Sequence, residues 1–252
     1  MRVLFVGDIY GEEGVSFLKE NIEEIKKKYK INLVVANAEN ASNGYGITTK
    51  IYKDLMKMGV CAITMGNHAF SNKEIDNLLQ ENANIVVPIN FPTYAKNGYL
   101  KVKYNDKTLM VINALGRVYM NMALDCPLRM VKEIIEKEKA DYYLVDFHAE
   151  ATSEKKALGY YLDGINGAVV GTHTHIPTAD ETVLDNGTLY ITDVGMTGPY
   201  DGVIGVEKEI VLETFLTGRK QKHIVAKGRR QLNAVMLDFD NKKIERINIK
   251  EN

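Results

Sequence analysis

The sequence has few of the features that mark secreted, membrane-spanning or nucleic-acid-coating proteins. Its two cysteines, Cys61 and Cys126, lie far apart with no sign of a secretory context, which argues against a disulfide framework. No stretch approaches the ~20 apolar residues that a membrane helix needs. The formal net charge is −1, so the chain has no overall basic field that would hold a nucleic-acid backbone.

The remaining bulk properties are those of an ordinary globular protein. The hydrophobic fraction is 45% and the charged fraction 26%. Only a few apolar residues precede Asp8, too few for the core of a signal peptide, so we expect a cytoplasmic protein without membrane contact. Without repeats or linker-like segments, residues 1–252 are expected to form a single domain. Cys61, in an apolar run, is predicted to be a buried small hydrophobe.

Strand-like and helix-like segments alternate along the first third of the chain. Strands are predicted at residues 2–7, 31–37 and 60–65. Three helices are predicted between and after these strands. The first has apolar positions that step by three and four, namely Val15, Leu18, Ile22, Ile25 and Tyr29. The other two cover residues 47–58 and 72–79. This β-α-β-α-β order predicts a mostly parallel sheet covered by helices.

The later segments are less regular but predict a second sheet. Strand-like runs cover residues 85–88, 99–104, 108–113, 142–147 and 168–171. Pro127 is suited to open a helix, and Ser153 is a predicted N-cap for a helix ending at Leu162. From Thr182 onward we expect three or four strands and one helix near residues 206–215. The predicted fold class is α/β.

Four of the five histidines lie in short polar segments, most of which contain glycine, and each segment follows a strand-like run. The segments are GDIYG (7–11), NAENASNGYG (37–46), GNH (66–68), DFHAE (146–150) and GTHTH (171–175). Open α/β sheets bind their ligands at the carboxyl ends of strands. The pattern therefore predicts a metal site assembled from five strand ends.

These segments supply oxygen and nitrogen donors in a mixture that suits Mn, Fe, Zn or Co better than Ca or Mg. The predicted ligands are two carboxylates, two amides and three imidazoles: Asp8, Glu39, Asn40, Asn67, His148, His173 and His175. Seven ligands exceed the needs of one ion. In an extended segment, His173 and His175 would project to the same side and serve different ions, and Glu39 could bridge ions about 3.5–4 Å apart. Two divalent ions are predicted, a pair suited to phosphoryl transfer.

The same motifs resemble those of the calcineurin-like metallophosphoesterases. Six finer segments resemble the YmdB-type branch of that superfamily: GDIYGEEG, NAENASNGYGIT, GNHAF, DFHAEATSEK, GTHTHIPTAD and TDVGMTGPYDGVIG. The likeness runs from Met1 to about Asp238. It implies an α-β-β-α sandwich of two sheets and a dinuclear Mn or Fe centre. The implied reaction is hydrolysis of 2′,3′-cyclic nucleotides to 3′-nucleotides, with a metal-bridging hydroxide attacking phosphorus.

The resemblance also implies roles for individual residues. Asp8, Glu39, Asn40 and His175 would hold one ion, and Glu39, Asn67, His148 and His173 the other. His68 resembles the catalytic acid that protonates the departing 2′ oxygen. The chain departs from the wider superfamily in two places: Tyr10 stands where a ligand histidine is usual, and Glu39-Asn40 stands where an aspartate usually bridges. Asn40 is expected to replace the missing histidine.

Other interpretations stay open. The enzyme would alternatively act on 3′,5′-cyclic nucleotides, phosphomonoesters or RNA ends, or the chain would be a non-catalytic nucleotide sensor. Singly, Asp8 could cap the following helix and His148 could be structural. The expected partners are a small nucleotide substrate, RNA at another surface, and further copies of the chain through the apolar loop 118–124.

Four other features have no settled role in the sequence. Arg117 is a candidate phosphate clamp. Glu150 would orient a ligand or begin a helix. The loop from Gly195 to Gly205 would approach substrate or a partner, or form a structural turn. His223 belongs to no motif and is predicted to be a surface residue.

Overall fold

The computed structural model describes residues 1–92 and 98–252, which form two β-sheets and flanking helices. The described strands are β1 Arg2–Val6, β2 Leu33–Asn37, β3 Val60–Thr64, β4 Ile85–Val86, β5 Tyr99–Tyr104, β6 Lys107–Leu115, β7 Tyr142–His148, β8 Gly167–Thr172, β9 Thr182–Val183, β10 Leu189–Ile191, β11 Gly198–Pro199, β12 Arg230–Asp238 and β13 Lys243–Lys250. The described helices are α1 Gly11–Tyr29, α2 Thr49–Lys57, α3 Glu74–Gln80, α4 Pro127–Lys137, α5 Thr152–Tyr161 and α6 Lys208–Thr217.

Each sheet has a parallel centre. In the first sheet, the strand order is β11-β12-β1-β2-β3-β4, with β13 on β12. Strands β1 to β4 are parallel, and β12 runs antiparallel to β1. In the second sheet, the order is β5-β6-β7-β8-β10-β9, and β6, β7, β8 and β10 are parallel. The predicted mostly parallel sheet over the first third of the chain is confirmed.

The central strands are apolar on both faces because each sheet is covered on both sides. In β1, Leu4 and Val6 pack under the helices, whereas Val3 and Phe5 point into the layer between the sheets. This alternation follows from the two-residue period of a strand. Five fully buried side chains from both sheets fill the middle of that layer: Phe5, Val35, Val111, Leu144 and Val170.

The helices complete a four-layer arrangement. Leu18 of α1, Leu55 of α2 and Leu78 of α3 pack on the first sheet. Val131 of α4 and Leu158 of α5 pack on the second. The α-β-β-α sandwich expected from the family resemblance is thus confirmed.

Several local predictions were wrong. Ala151, not Ser153, occupies the N-cap position of α5, and Ser153 lies inside the first turn, because β7 leads almost directly into the helix. The region from Thr182 contains five strands instead of three or four, since β9 and β11 are two-residue strands without a clear sequence pattern. Cys61 is partly buried, not fully, and its thiol donates to the Val34 carbonyl at 3.1 Å.

Helix α6 differs from the other five helices because it has no buried residue. Its Phe215 and Leu216 are more than four-fifths exposed. None of the helices within residues 1–92 and 98–252 has the length and apolarity to cross a membrane.

Candidate metal centre

The predicted site residues meet where strands of both sheets end. Asp8, Glu39 and Asn67 follow β1, β2 and β3 of the first sheet, respectively. His148 ends β7, and His173 follows β8 of the second sheet. Strand ends of the two sheets therefore form one polar edge, as the parallel topology requires.

Four ligand-type side chains converge on one point. The Nε2 atom of His148 lies 3.0 Å from Glu39 Oε1, Asn67 Oδ1 and His173 Nδ1. Donors about 2.1 Å from one octahedral ion are roughly 3 Å from their neighbours. Donor atoms of Glu39, His148 and His173 all lie within 4.8 Å of one another. This group has the spacing of a metal site.

A second group also contacts Glu39, through the same Oε1 atom. The Asn40 amide nitrogen lies 3.1 Å from Glu39 Oε1 and 3.0 Å from His175 Nε2. Glu39 thus contacts both groups, which is the position expected of a bridging carboxylate. The individual ligand assignments stay predictions.

Asp8 lies against the first group. Its Oδ2 accepts the His173 backbone N–H at 3.1 Å, and its Oδ1 lies 3.7 Å from His148 Nδ1. Asp8 does not cap α1, because Tyr10 occupies the N-cap position. The predicted grouping had instead placed Asp8 with Asn40 and His175.

The residues present fit bound divalent cations. Among the described residues, the buried Asp8 Oδ1 has no hydrogen-bond partner, and buried carboxylates need a compensating charge. Burial raises the pKa of Asp8 well above its usual range. Burial alone would lower the pKa of His148, but the Glu39 carboxylate raises it to about 9. A bound divalent ion would supply positive charge to this cluster and would take the place of the His148 proton.

Gly66 provides the space for this convergence. A Cβ at Gly66 would lie 2.2 Å from Glu39 Oε2 and 2.5 Å from His148 Nε2. Both side chains are central to the site, so only glycine permits the close approach of this loop.

His173 and His175 do not lie in an extended segment, so that part of the prediction was wrong. Their φ angles are 101° and 66°, a region that L-residues rarely adopt. The turn is held by Asp193, whose Oδ2 accepts the backbone N–H of Thr174 at 3.1 Å and its hydroxyl at 2.8 Å. Two histidines reach the site because a strained turn is held in place, not because of strand alternation.

Buried polar groups support the ligands from behind. Lys155 donates to Asp193 at 2.6 Å, and both side chains are 1% exposed. Thr172 bridges His148 Nδ1, at 2.9 Å, and Asp146 Oδ1, at 2.7 Å. Such contacts orient ligand rings. None of these four residues was predicted to support the site; for Asp146, Thr172 and Asp193 the only signal was a carboxylate or hydroxyl residue within or beside an apolar strand-like run, and for Lys155 there was none.

The residues whose roles were open now have defined contacts. Glu150 Oε2 lies 3.1 Å from His173 Nε2, as expected of a group that orients a ligand. In the loop from Gly195 to Gly205, the Ile204 carbonyl lies 2.8 Å from His175 Nδ1. The backbone N–H of Arg117 donates to Glu154 Oε1 at 3.1 Å. Arg117 is not among the described residues that line the cleft next to the predicted ligands.

Tyr10, where the wider superfamily has a histidine, is not placed to be an anionic ligand. Its ring packs edge-on against His175, with centroids 5.5 Å apart. Burial raises the pKa of Tyr10 to about 12, so its hydroxyl stays protonated at neutral pH. The side chain therefore acts as a wall of the site.

We call the seven predicted ligands the floor; four of them, Glu39, Asn40, His173 and His175, line an open cleft of about 400 Å³. His68 lies on its wall: its backbone N–H donates to Glu39 Oε2 at 3.1 Å, and burial lowers the pKa of its ring. Two further aromatic residues line the wall, Tyr45 and His223. His223 is exposed as predicted, but its position at the cleft was missed because it lies in no motif.

Residues 4–251 match the family model described as YmdB-like protein. The chain belongs to the YmdB-like family. Over 259 residues it is 46% identical to the 2′,3′-cyclic-nucleotide 2′-phosphodiesterase of Bacillus subtilis, a match that covers 100% of this chain and 98% of the relative. The resemblance to YmdB-type metallophosphoesterases is confirmed, and so is the prediction of a phosphoric diester hydrolase.

Solved structures of similar proteins agree with the YmdB-like assignment. A hypothetical protein from Thermus thermophilus has a TM-score of 0.94 and 43% identity, with 100% of both chains covered. A novel phosphatase from Mycoplasma pneumoniae has a TM-score of 0.92 and 38% identity, covering 100% of this chain and 94% of its own.

Proposed function

We propose that this YmdB-like chain hydrolyses 2′,3′-cyclic nucleotides at the 2′ ester to give 3′-nucleotides. The observation that carries the proposal is the pair of ligand groups that share Glu39 on the floor of a cleft whose wall contains His68. The name of the Bacillus subtilis relative, 46% identical over the whole chain, supports the choice of substrate.

The residues fit two divalent ions, which we propose to be Mn or Fe. Asn67, His148 and His173 would hold one ion, Asn40 and His175 the other, with Glu39 between them and Asp8 beside His148. When bound, such a pair supplies an activated water and neutralises charge on the phosphoryl oxygens. Histidine nitrogens in both groups favour these metals over Ca or Mg.

His68 is the proposed proton donor to the departing 2′ oxygen. Its backbone N–H donates to Glu39 Oε2, and the residue lines the same cleft as Glu39. Burial lowers the pKa of His68, and the negative charge of an incoming phosphate opposes that shift, which favours the protonated form when substrate is bound.

The test compares hydrolysis of 2′,3′-cAMP, 3′,5′-cAMP and p-nitrophenyl phosphate with added Mn, in the wild type and in His68→Ala. We expect 2′,3′-cAMP to be the preferred substrate and 3′-AMP the product. The variant should lose roughly 10²–10⁴-fold in turnover and keep two metal ions per chain by mass spectrometry. Two bound ions without turnover of any of the three substrates would overturn the proposal in favour of a nucleotide sensor.

Three further expectations accompany this function. The nucleotide substrate is proposed to be the principal partner, with RNA at another surface. The exposed side chains of Val118, Tyr119 and Met122 support self-association, which sedimentation velocity would test. A cytoplasmic location stays a prediction.

A further inference from the structure

A second cavity, of about 890 Å³, adjoins the cleft. Among the described lining residues of the two cavities, Tyr45 and His223 belong to both. They are 178 positions apart in the chain, yet their side chains meet at the boundary between the cavities. A molecule held at the metal centre that extends towards the second cavity would therefore meet these two rings.

The two rings are neighbours with nearly parallel planes. The Tyr45 hydroxyl lies 3.0 Å from His223 Nδ1, and the ring planes differ by 17°. The centroids are 6.3 Å apart, so the rings meet end to end and do not overlap face to face. Tyr45 is 41% exposed and His223 is also exposed. The surface is accessible to a ligand.

We infer that Tyr45 and His223 bind the nucleobase of the substrate by stacking; the inference rests on the proposed function. The metal centre accounts for the phosphate, and His68, whose ring centroid is 4.9 Å from that of Tyr45, accounts for the leaving oxygen. The metal centre and His68 leave the nucleobase of a cyclic nucleotide without an assigned binding site. Planar bases stack on aromatic rings.

The surroundings favour a single base over a long polyanion. The second cavity is lined by Lys220, Lys222 and Lys227, but also by two negatively charged residues, Glu12 and Glu13. Stacking by itself tolerates all four bases. The expected preference is therefore modest, with purines ahead of pyrimidines because they cover more ring area.

The decisive test separates the base from the cyclic phosphate. Kinetics with added Mn would be measured on 2′,3′-cAMP, 2′,3′-cCMP and glycerol 1,2-cyclic phosphate, which has the same strained ring and no base. We expect Tyr45→Leu to raise KM for 2′,3′-cAMP by about 5- to 100-fold with little change in kcat. Kinetics on the glycerol ester should not change.

Two matched variants sharpen the result. Tyr45→Phe keeps the ring face and loses the bond to His223, so its KM should rise much less than that of Tyr45→Leu. His223→Leu should act in the same direction as Tyr45→Leu. Tyr160→Leu, which removes an exposed tyrosine outside both cavities, should behave as the wild type.

Equal losses on the nucleotide and the glycerol ester in Tyr45→Leu would overturn the inference, because they would mean that Tyr45 acts through His68. Unchanged KM values in both Leu variants would also overturn it. If the wild type turns over none of the cyclic esters, the proposed function fails separately. Calorimetric titration with 3′-AMP then decides: weaker binding to Tyr45→Leu supports the base site, and equal binding contradicts it.

Discussion

The floor and the wall of the cleft are built on different principles. On the floor, His148 is fully buried and is held by Thr172 behind it and by Glu39 in front. On the wall, His223 is exposed, and the one side-chain hydrogen bond described for it is to Tyr45. The two side chains are both imidazoles, but one is fully buried and the other is exposed to solvent.

The difference shows which part of the site needs rigid side chains. Buried carboxylates are costly unless they are paired, so Glu39 and His148 have fixed partners and a supporting layer. A stacking surface needs only an accessible ring and tolerates small displacements. Changes on the floor should therefore alter metal content and stability, whereas changes at Tyr45 and His223 on the wall should alter substrate affinity alone.

The largest effect is expected from Glu39→Gln, which keeps the shape and removes the shared negative charge. We expect loss of at least one metal ion and a fall of activity to background, measured by mass spectrometry and by 2′,3′-cAMP hydrolysis. Glu150→Gln is the matched control, because Glu150 contacts only the outer nitrogen of His173 and is half exposed. Its loss should be about 10- to 100-fold. Normal metal content in Glu39→Gln would contradict the bridging role.

Asp193→Asn should come next. It breaks the buried pair with Lys155 and loosens the turn that carries His173 and His175. Breaking such a pair costs about 3–5 kcal/mol of unfolding free energy, and metal affinity should fall roughly 10- to 100-fold. Urea denaturation and metal titration would measure both.

The double variant Lys155→Met with Asp193→Asn provides the control, since it leaves no unpaired charge. It should regain stability but not metal affinity, because the single amide oxygen of asparagine cannot replace both carboxylate oxygens, which accept from Thr174 and Gly195. If both quantities recovered together, Asp193 would have no positioning role.

On the wall, His223→Ala should leave the free energy of unfolding within about 0.5 kcal/mol of the wild type and the metal content unchanged. The contrasting change is His148→Ala, which removes a buried ring from the floor and should lower both. Loss of metal in His223→Ala would remove the distinction between floor and wall.

The smallest effect concerns the two thiols, which are both partly buried but differ in the direction of their pKa shifts. Burial raises the pKa of Cys61 to about 11, whereas the backbone N–H of Arg129, at the start of α4, lowers the pKa of Cys126. Because the thiolate is the reactive form, Cys126 should react first with a disulfide reagent at pH 8. Mass spectrometry of the labelled peptides would identify it, and faster labelling of Cys61 would contradict this assignment.

Much of the fold was predictable because its signals are local. The three- and four-residue steps of the apolar positions in α1 correspond to buried Leu18, Ile22 and Ile25. The Ser153 cap was wrong because a cap depends on where the chain leaves β7, and serine at a helix start is only a preference. Short strands such as β11 exist through pairing with β12, which no local pattern reports.

For the site, the sequence alone was enough to identify the available ligand groups: carboxylates, amides and imidazoles at strand ends, whose convergence follows from parallel topology. The side chains that support these groups become visible only in the tertiary structure. Lys155, Asp193 and Thr172 act through partners distant in the chain, and Tyr45 meets His223 across 178 positions. A ligand motif is local because its residues share one loop. Its support and the cleft wall are long-range, because packing chooses their partners.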